Sequence, residues 1–344
     1  MKILGINISH NPSVTLCEDG KILKHYDETR FVKNKLYCPT HSNQEQLSFL
    51  SIEQKIYDQD INHIIFCSYG FMHYSVNLRY NEDSLEYEKD LIVDCRDLAC
   101  MKKFEDDLLR RFPRVKELKY HNEHHLYHAL CGFNFSNFDE AICIVMDGGG
   151  ATSFPEEVPT YQEIESVYFV DKYNIRELYK HLSNMRFPNL QHLIPTMKQK
   201  ESHKIEKDGC KYVFSSKKSS GYLFSELTLY LQLSDDPNSS GANSGKTMGL
   251  AAYGNLKGNR KEDLAHKLQV KTEKDTLELI DYASKLSDCK NIILSGGYAL
   301  NCLNNYKYVK KFPHLNFFVD PCAHDGGTSI GAALWLDRKL KNHA

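Results

Sequence analysis

His124 and His128 stand four residues apart in the run Tyr120-His121-Asn122-Glu123-His124-His125-Leu126-Tyr127-His128-Ala129. On a helix that spacing puts two imidazoles on one face, one turn apart, where both can reach a single cation. A candidate third ligand is Asp325, in Pro321-Cys322-Ala323-His324-Asp325-Gly326-Gly327-Thr328, a glycine-rich turn ahead of an apolar helix. Two imidazoles and one carboxylate leave coordination positions open, which suits a metal that handles substrate rather than one that staples a fold. The chain carries 16 histidines, so a solvated helix face explains the cluster as well, and both readings stand at this point.

Three further segments bear glycines where chemistry could use them. Asp147-Gly148-Gly149-Gly150 follows an apolar run and would let backbone amides approach phosphate oxygens. Ser295-Gly296-Gly297-Tyr298-Ala299-Leu300-Asn301 follows the apolar run Asn291–Leu294, a strand–glycine–helix pattern that can aim a helix N-terminus at a nucleotide. Glycines after strands also serve close packing alone. Ser244-Gly245-Lys246-Thr247-Met248-Gly249 contains Gly-Lys-Thr but lacks the spaced glycine of a P-loop and follows no strand, so that match is rejected.

The elements that must position these residues begin twice in the same way. Lys2 to Ser9 reads as a strand and breaks at His10-Asn11-Pro12. A second strand runs from Ser13 to Cys17, and an Asp19-Gly20 hairpin leads to a third at Ile22–Tyr26. The pattern restarts at Glu140, with strands expected at Ala141–Met146, Ser166–Asp171 and Ile175–Tyr179. Two such openings suggest an internal duplication, an N-terminal lobe over 1–139 and a C-terminal lobe over 140–344, with a cleft between. The polar stretch within about 152–243 reads as a surface insertion. Its tyrosines (Tyr161, Tyr168, Tyr212, Tyr222) could stack on a sugar or base, or simply be half-buried. Tyr80 to Arg111 reads as helical.

At 344 residues the chain can build two lobes with substantial cores. A net charge of -2 provides no global field for nucleic acid or an anionic membrane. The 11 cysteines include no Cys-x-x-Cys pair, and several sit in apolar runs, as reduced thiols do. The N-terminus is already a strand, and no apolar run is long enough to span a bilayer. A soluble, cytoplasmic protein is expected.

In order along the chain, several segments resemble one family: Leu4-Gly5-Ile6-Asn7-Ile8-Ser9-His10-Asn11-Pro12, Asp27-Glu28-Thr29-Arg30-Phe31, His124-His125-Leu126-Tyr127-His128, Asp147–Gly150, Gly245–Gly254, Ser295–Asn301 and Asp325–Leu334. This series is similar to the O-carbamoyltransferases of nodulation-factor decoration and antibiotic tailoring, relatives of the tRNA threonylcarbamoyl-adenosine transferase. The resemblance implies an α/β fold of two ribonuclease-H-like lobes in the actin and sugar-kinase superfamily. It implies a divalent metal, iron, on His124, His128 and Asp325. ATP or carbamoyl-adenylate would contact Asp147, Gly148, Gly149, Gly150, Gly296, Gly297 and Asn301, with Lys246 nearby and His10 close to the carbamoyl group as candidate base. The reaction so implied moves carbamoyl from an adenylated donor to a hydroxyl of a small molecule or nucleotide. Family members usually carry a second, carbamoyl-adenylate-forming domain after the helix that follows Asp325. None is expected within this chain, so a separate protein is an expected partner. The alternative is a nucleotide-binding regulatory or scaffold subunit of a carbamoylation complex.

Overall fold

The computed structural model describes residues 1–34, 37, 39, 49–68, 74–81, 86–93, 95–121, 123–150, 161–183, 203–234 and 243–342, with backbone alone for 68, 74–81, 86–93 and 95–100. These residues divide into two units. Unit 1 takes in Met1–Cys131 and returns at His324–Ala344; unit 2 takes in Gly132–Thr152 and Pro159–Ala323.

Unit 1 opens with β1 (Lys2–Asn7), β2 (Ser13–Glu18) and β3 (Lys21–Asp27), an antiparallel meander. Asp19 and Gly20 both take positive φ (51° and 82°), the backbone that a two-residue hairpin needs to follow the right-handed strand twist. A short helix α1 (Glu28–Val32) follows, with the Asp27 carboxylate accepting from the Thr29 amide as its cap. Next come β4 (His63–Ser68), a separate hairpin of β5 (Tyr74–Asn81) and β6 (Glu86–Val93), α2 (Cys95–Arg111) and β7 (Leu118–Tyr120). The main sheet runs β3-β2-β1-β4-β7, with β4 parallel to β1 and β7 parallel to β4. Ile3, Leu4 and Ile6 are fully buried, as a central strand covered on both faces requires. One face packs on Phe104, Leu108 and Phe112 around α2. α3 (His124–Ser136) begins in unit 1 and leads into unit 2.

Unit 2 repeats the plan. β8 (Glu140–Met146), β9 (Gln162–Asp171) and β10 (Ile175–Ser183) form an antiparallel meander, followed by β11 (His203–Lys207) and β12 (Cys210–Ser215). Then come α4 (Ser220–Tyr230), α5 (Ser244–Leu250), α6 (Lys261–Ala283), β13 (Asn291–Ser295), α7 (Cys302–Lys311) and β14 (Asn316–Val319). The sheet order is β11-β12-β10-β9-β8-β13-β14. Its five strands from β10 to β14 match the five of unit 1 in order and direction: a three-strand meander, then two parallel strands. Ile142, Ile144, Val167, Ile280, Ile292 and Leu294 centre its core. Both repeats bear out the duplicated openings, and the mixed α/β class is as expected.

Three expectations are corrected. The last helix, α8 (Thr328–Asn342), packs on β1, β2 and β4, so residues 324–344 belong with the N-terminal unit and not with 140–323. Within the stretch 152–243, beyond the expected strands β9 and β10, the described residues add β11 and β12, which extend the same sheet and are no surface insertion. The parts of it at 152–160, 184–202 and 235–242 lie outside the described residues. Of Tyr80 to Arg111, the described residues up to Val93 belong to β5 and β6, and those from Cys95 to α2.

Candidate functional site

In unit 1, α3 carries His124 in its first turn and His128 one turn later, and their Nε2 atoms face each other at 3.2 Å. Asp325 Oδ1 lies 3.7 Å from His124 Nε2 and 3.9 Å from His128 Nε2. All three residues are buried. The second carboxylate oxygen of Asp325 is 3.1 Å from His10 Nε2, and His10 is itself mostly solvent-exposed. Residues from three distant stretches of the sequence therefore meet within one unit, so the buried histidine pair is no solvated helix face.

Backbone packing brings them together. Gly331 of α8 lies so close to α3 that a Cβ there would sit 2.0 Å from the Tyr127 carbonyl oxygen. His121 stacks on Trp335 at 3.8 Å, tying the start of α3 to α8. The Asp325 turn is fastened to the sheet by residues that the sequence reading passed over. Asn7 Nδ2 donates to the carbonyl oxygens of Asp325 and Asn11, both at 3.1 Å, and Thr328 Oγ1 donates to Asp325 O at 2.6 Å. Ser13 Oγ donates to Gly326 O at 2.7 Å and lies 2.8 Å from Ser329 Oγ, which bonds Thr15 Oγ1. The available signal was a set of polar residues (Asn7, Ser13, Thr15) at fully buried positions of otherwise apolar strands. The Thr15 hydroxyl continues to His25 Nδ1 at 2.9 Å. Burial, and then the nearby His324, push the His25 imidazole down to about 4.

The donor set fits a transition metal. A tetrahedral ion with bonds of about 2.1 Å holds its ligand atoms about 3.4 Å apart, inside the 3.2–3.9 Å span of this triangle. A hydrogen bond between the two rings could account for the imidazole pair alone. It would not account for a buried carboxylate oxygen facing both nitrogens. Two nitrogens with one oxygen favour a transition metal over magnesium.

The second set of expected residues lies in unit 2. Asp147 Oδ1 accepts from the amides of Gly148 (2.7 Å) and Gly297 (3.1 Å), so the two glycine turns meet at one carboxylate. Gly296 sits at φ 84°, and a Cβ there would be 2.3 Å from Met146 O, which only glycine tolerates. Gly150 N donates to Glu163 O at 2.7 Å, while a Cβ on Gly149 would strike Gln162. Beside Gly148 lies a recess of about 210 Å³, part of it open to solvent, lined by Gln162, Ile164, Ser183, Lys218, Ser219 and Tyr222. Asn301 faces away from any open surface. It caps α7 and exchanges two amide hydrogen bonds with Gln269 (2.7 and 2.9 Å). Lys246 lies on the exposed side of α5 in unit 2, whereas His10 is in unit 1. Tyr161, Tyr168 and Tyr212 are buried among core residues, and of the four singled-out tyrosines Tyr222 alone lines the recess.

These duplicated sheets define the class. The fold is like that of a ROK family protein from Streptococcus pneumoniae TIGR4 in complex with sucrose (TM-score 0.50, 12% identity, 99% of this chain and 100% of that one). It is also like full-length HypF in the phosphate- and nucleotide-bound form (TM-score 0.54, 12% identity, 99% of this chain and 56% of that one). Both likenesses are of fold, a mixed α/β architecture. The profile of the carbamoyltransferase N-terminus matches residues 2–260 and 255–334, and the chain belongs to that family. It is 25% identical over 235 residues to nodulation protein NolNO of Sinorhizobium fredii, across 64% of this chain and 32% of that protein. The chain thus spans about a third of this relative's length. Among the described residues, no helix is long and apolar enough to cross a membrane.

Proposed function

We propose that this chain carries out carbamoyl transfer from an adenylated carbamoyl donor to a hydroxyl of a small molecule or nucleotide, with a divalent metal, iron, held by His124, His128 and Asp325. The observation that carries this reading is the buried triangle of two Nε2 atoms and one carboxylate oxygen, in a chain of the carbamoyltransferase family. A carbamoyl carbon is a poor electrophile because its nitrogen donates into the carbonyl. When bound, the metal would supply Lewis-acid polarisation to offset that donation.

The protein side of the mechanism follows from side-chain roles. His10, with Nε2 3.1 Å from Asp325 Oδ2 and Nδ1 3.3 Å from Asn11 Oδ1, is the candidate base for the attacking hydroxyl's proton. Its exposure lets an acceptor approach from solvent. Asn7 and Thr328, by holding the Asp325 main chain, keep the carboxylate aimed at both imidazoles. In unit 2, the Asp147–Gly150 turn with Gly296 and Gly297 would cradle the nucleotide. Two anions do not attract, so Asp147 would reach a phosphate only through a bridging cation. Asn301 would act at one remove, by capping α7 and setting the turn that contains Gly297.

Protein supplied with carbamoyl phosphate, ATP and iron should release pyrophosphate if it activates its own donor. If a partner makes the donor, pre-formed carbamoyl-adenylate with an acceptor should give product where carbamoyl phosphate with ATP does not. Nucleotide binding without turnover on either donor would favour a scaffold. His128→Ala should abolish stoichiometric iron uptake while the fold persists; iron retained at one per chain would defeat the ligand assignment.

A further inference from the structure

One face of the unit 2 sheet holds a line of reactive side chains that carbamoyl transfer does not use. Glu165 on β9 is the register partner of His181 on β10, and Ser215 ends β12, opposite Ser183 of β10. His181 Nδ1 is 3.2 Å from Glu165 Oε2, and His181 Nε2 is 2.6 Å from Ser215 Oγ. Glu165 and His181 are buried, while Ser215 is half-buried. Burial pushes the Glu165 carboxyl up, but hydrogen bonds and charge from His181 and Lys217 prevail and hold it down at about 2. An ionised carboxylate can only accept, so Nδ1 must carry the imidazole proton. In the neutral ring Nε2 is then the lone-pair nitrogen, 2.6 Å from the Ser215 hydroxyl.

That fixed tautomer is what a base needs to activate a serine. The same contacts could do no more than tie three strands together, and Lys217 Nζ, 3.0 Å from Glu165 Oε1, adds to such a tie. Two observations point past scaffolding. Access rises along the line from buried acid to half-buried hydroxyl, the order that a nucleophile requires. The recess described above is lined by Ser183, the strand neighbour of Ser215, and by Lys218 and Ser219, which follow it closely in the chain.

We propose that Glu165, His181 and Ser215 form a second active centre in this chain, a serine esterase acting on small activated esters. Ser215 Oγ bonds to the ester carbonyl carbon as its proton passes to His181 Nε2. The carbon–oxygen bond to the leaving group then breaks, and the departing oxygen takes that proton. Water repeats the sequence on the acyl-serine, releasing the carboxylic acid and regenerating the hydroxyl. The substrate class follows from electrostatics. The Lys217 amide already donates to Ser215 Oγ at 3.1 Å and is not free to meet a developing oxyanion, which confines the activity to esters with good leaving groups.

The test uses the full chain without metal or nucleotide, so its result is independent of the carbamoyl reading. A fluorophosphonate probe followed by peptide mass spectrometry should place one adduct on Ser215, and p-nitrophenyl acetate should be hydrolysed. Ser215→Ala should remove both signals, and Glu165→Gln, by freeing the tautomer, should slow hydrolysis by about tenfold or more in protein that remains folded. No adduct on Ser215 in folded protein, or full hydrolysis by Ser215→Ala, would overturn the proposal. So would a Glu165→Gln protein that melts earlier yet still hydrolyses the ester at the full rate, since the line would then be structural.

Discussion

Asp325 does two jobs with separate groups. Its carboxylate faces His124, His128 and His10, while its main-chain carbonyl takes hydrogen bonds from Asn7 and Thr328. Because anchoring runs through the backbone, the side chain can be changed without releasing the turn. Asp325→Asn keeps the size and removes the negative charge. It should weaken iron binding by on the order of a hundredfold or more, with a melting temperature close to that of the parent measured free of metal. Iron titration followed by absorbance checks the first part and calorimetry the second. The i,i+4 histidines were legible because helical spacing is a local property. The carboxylate was identifiable as a candidate. Asn7, which aims it, was not, because a polar residue in a strand does not disclose what it meets across the fold.

At the scale of elements, the metal ligands depend on how closely α3 and α8 approach. The contact between Gly331 and the Tyr127 carbonyl leaves no room for a methyl group. Gly331→Ala should therefore push the helices apart and cost about 3 kcal/mol of stability, with iron affinity falling in step. Chemical denaturation of the metal-free variant measures the first, and a normal midpoint would remove this account of the packing. Strands and helices were read well where one periodicity dominated, as in β1, β2, β8, β13 and α3. The β5–β6 hairpin was misread because charged residues in β6 masked its alternation. The polar character of 152–243 likewise hid the two strands that extend the second sheet, β11 and β12, and the burial of Glu163, Glu165 and Lys180, which are paired with one another or with neighbouring charges. Composition alone cannot distinguish a paired buried charge from a solvated one.

For the whole molecule, the two units should answer acid differently. His25 in unit 1 is held well below the usual histidine range, to about 4, chiefly by burial. The folded state therefore refuses a proton that the unfolded chain accepts below about 6.5. Stability from this group is complete above that value and declines as pH falls toward 4, by up to roughly 3 kcal/mol. Glu165 in unit 2 is held down at about 2, so its contribution is intact above the ordinary glutamate range and declines only as pH falls from there toward 2. Acid titration of metal-free protein, followed by amide exchange, should show unit 1 losing protection at a higher pH than unit 2. Loss in the reverse order would show that other groups govern the acid response.

Local chemistry determined much of this protein in advance. The strand openings, the duplicated plan, the histidine spacing and the glycine turns each depend on a few neighbouring residues and on backbone geometry. Tertiary packing decided the rest. It returned residues 324–344 to the first unit, put Asp325 opposite α3, turned Asn301 inward to Gln269, and lined up Glu165, His181 and Ser215 across three strands. Those outcomes depend on which surfaces bury each other over long sequence separations, and periodicity along the chain carries no record of that.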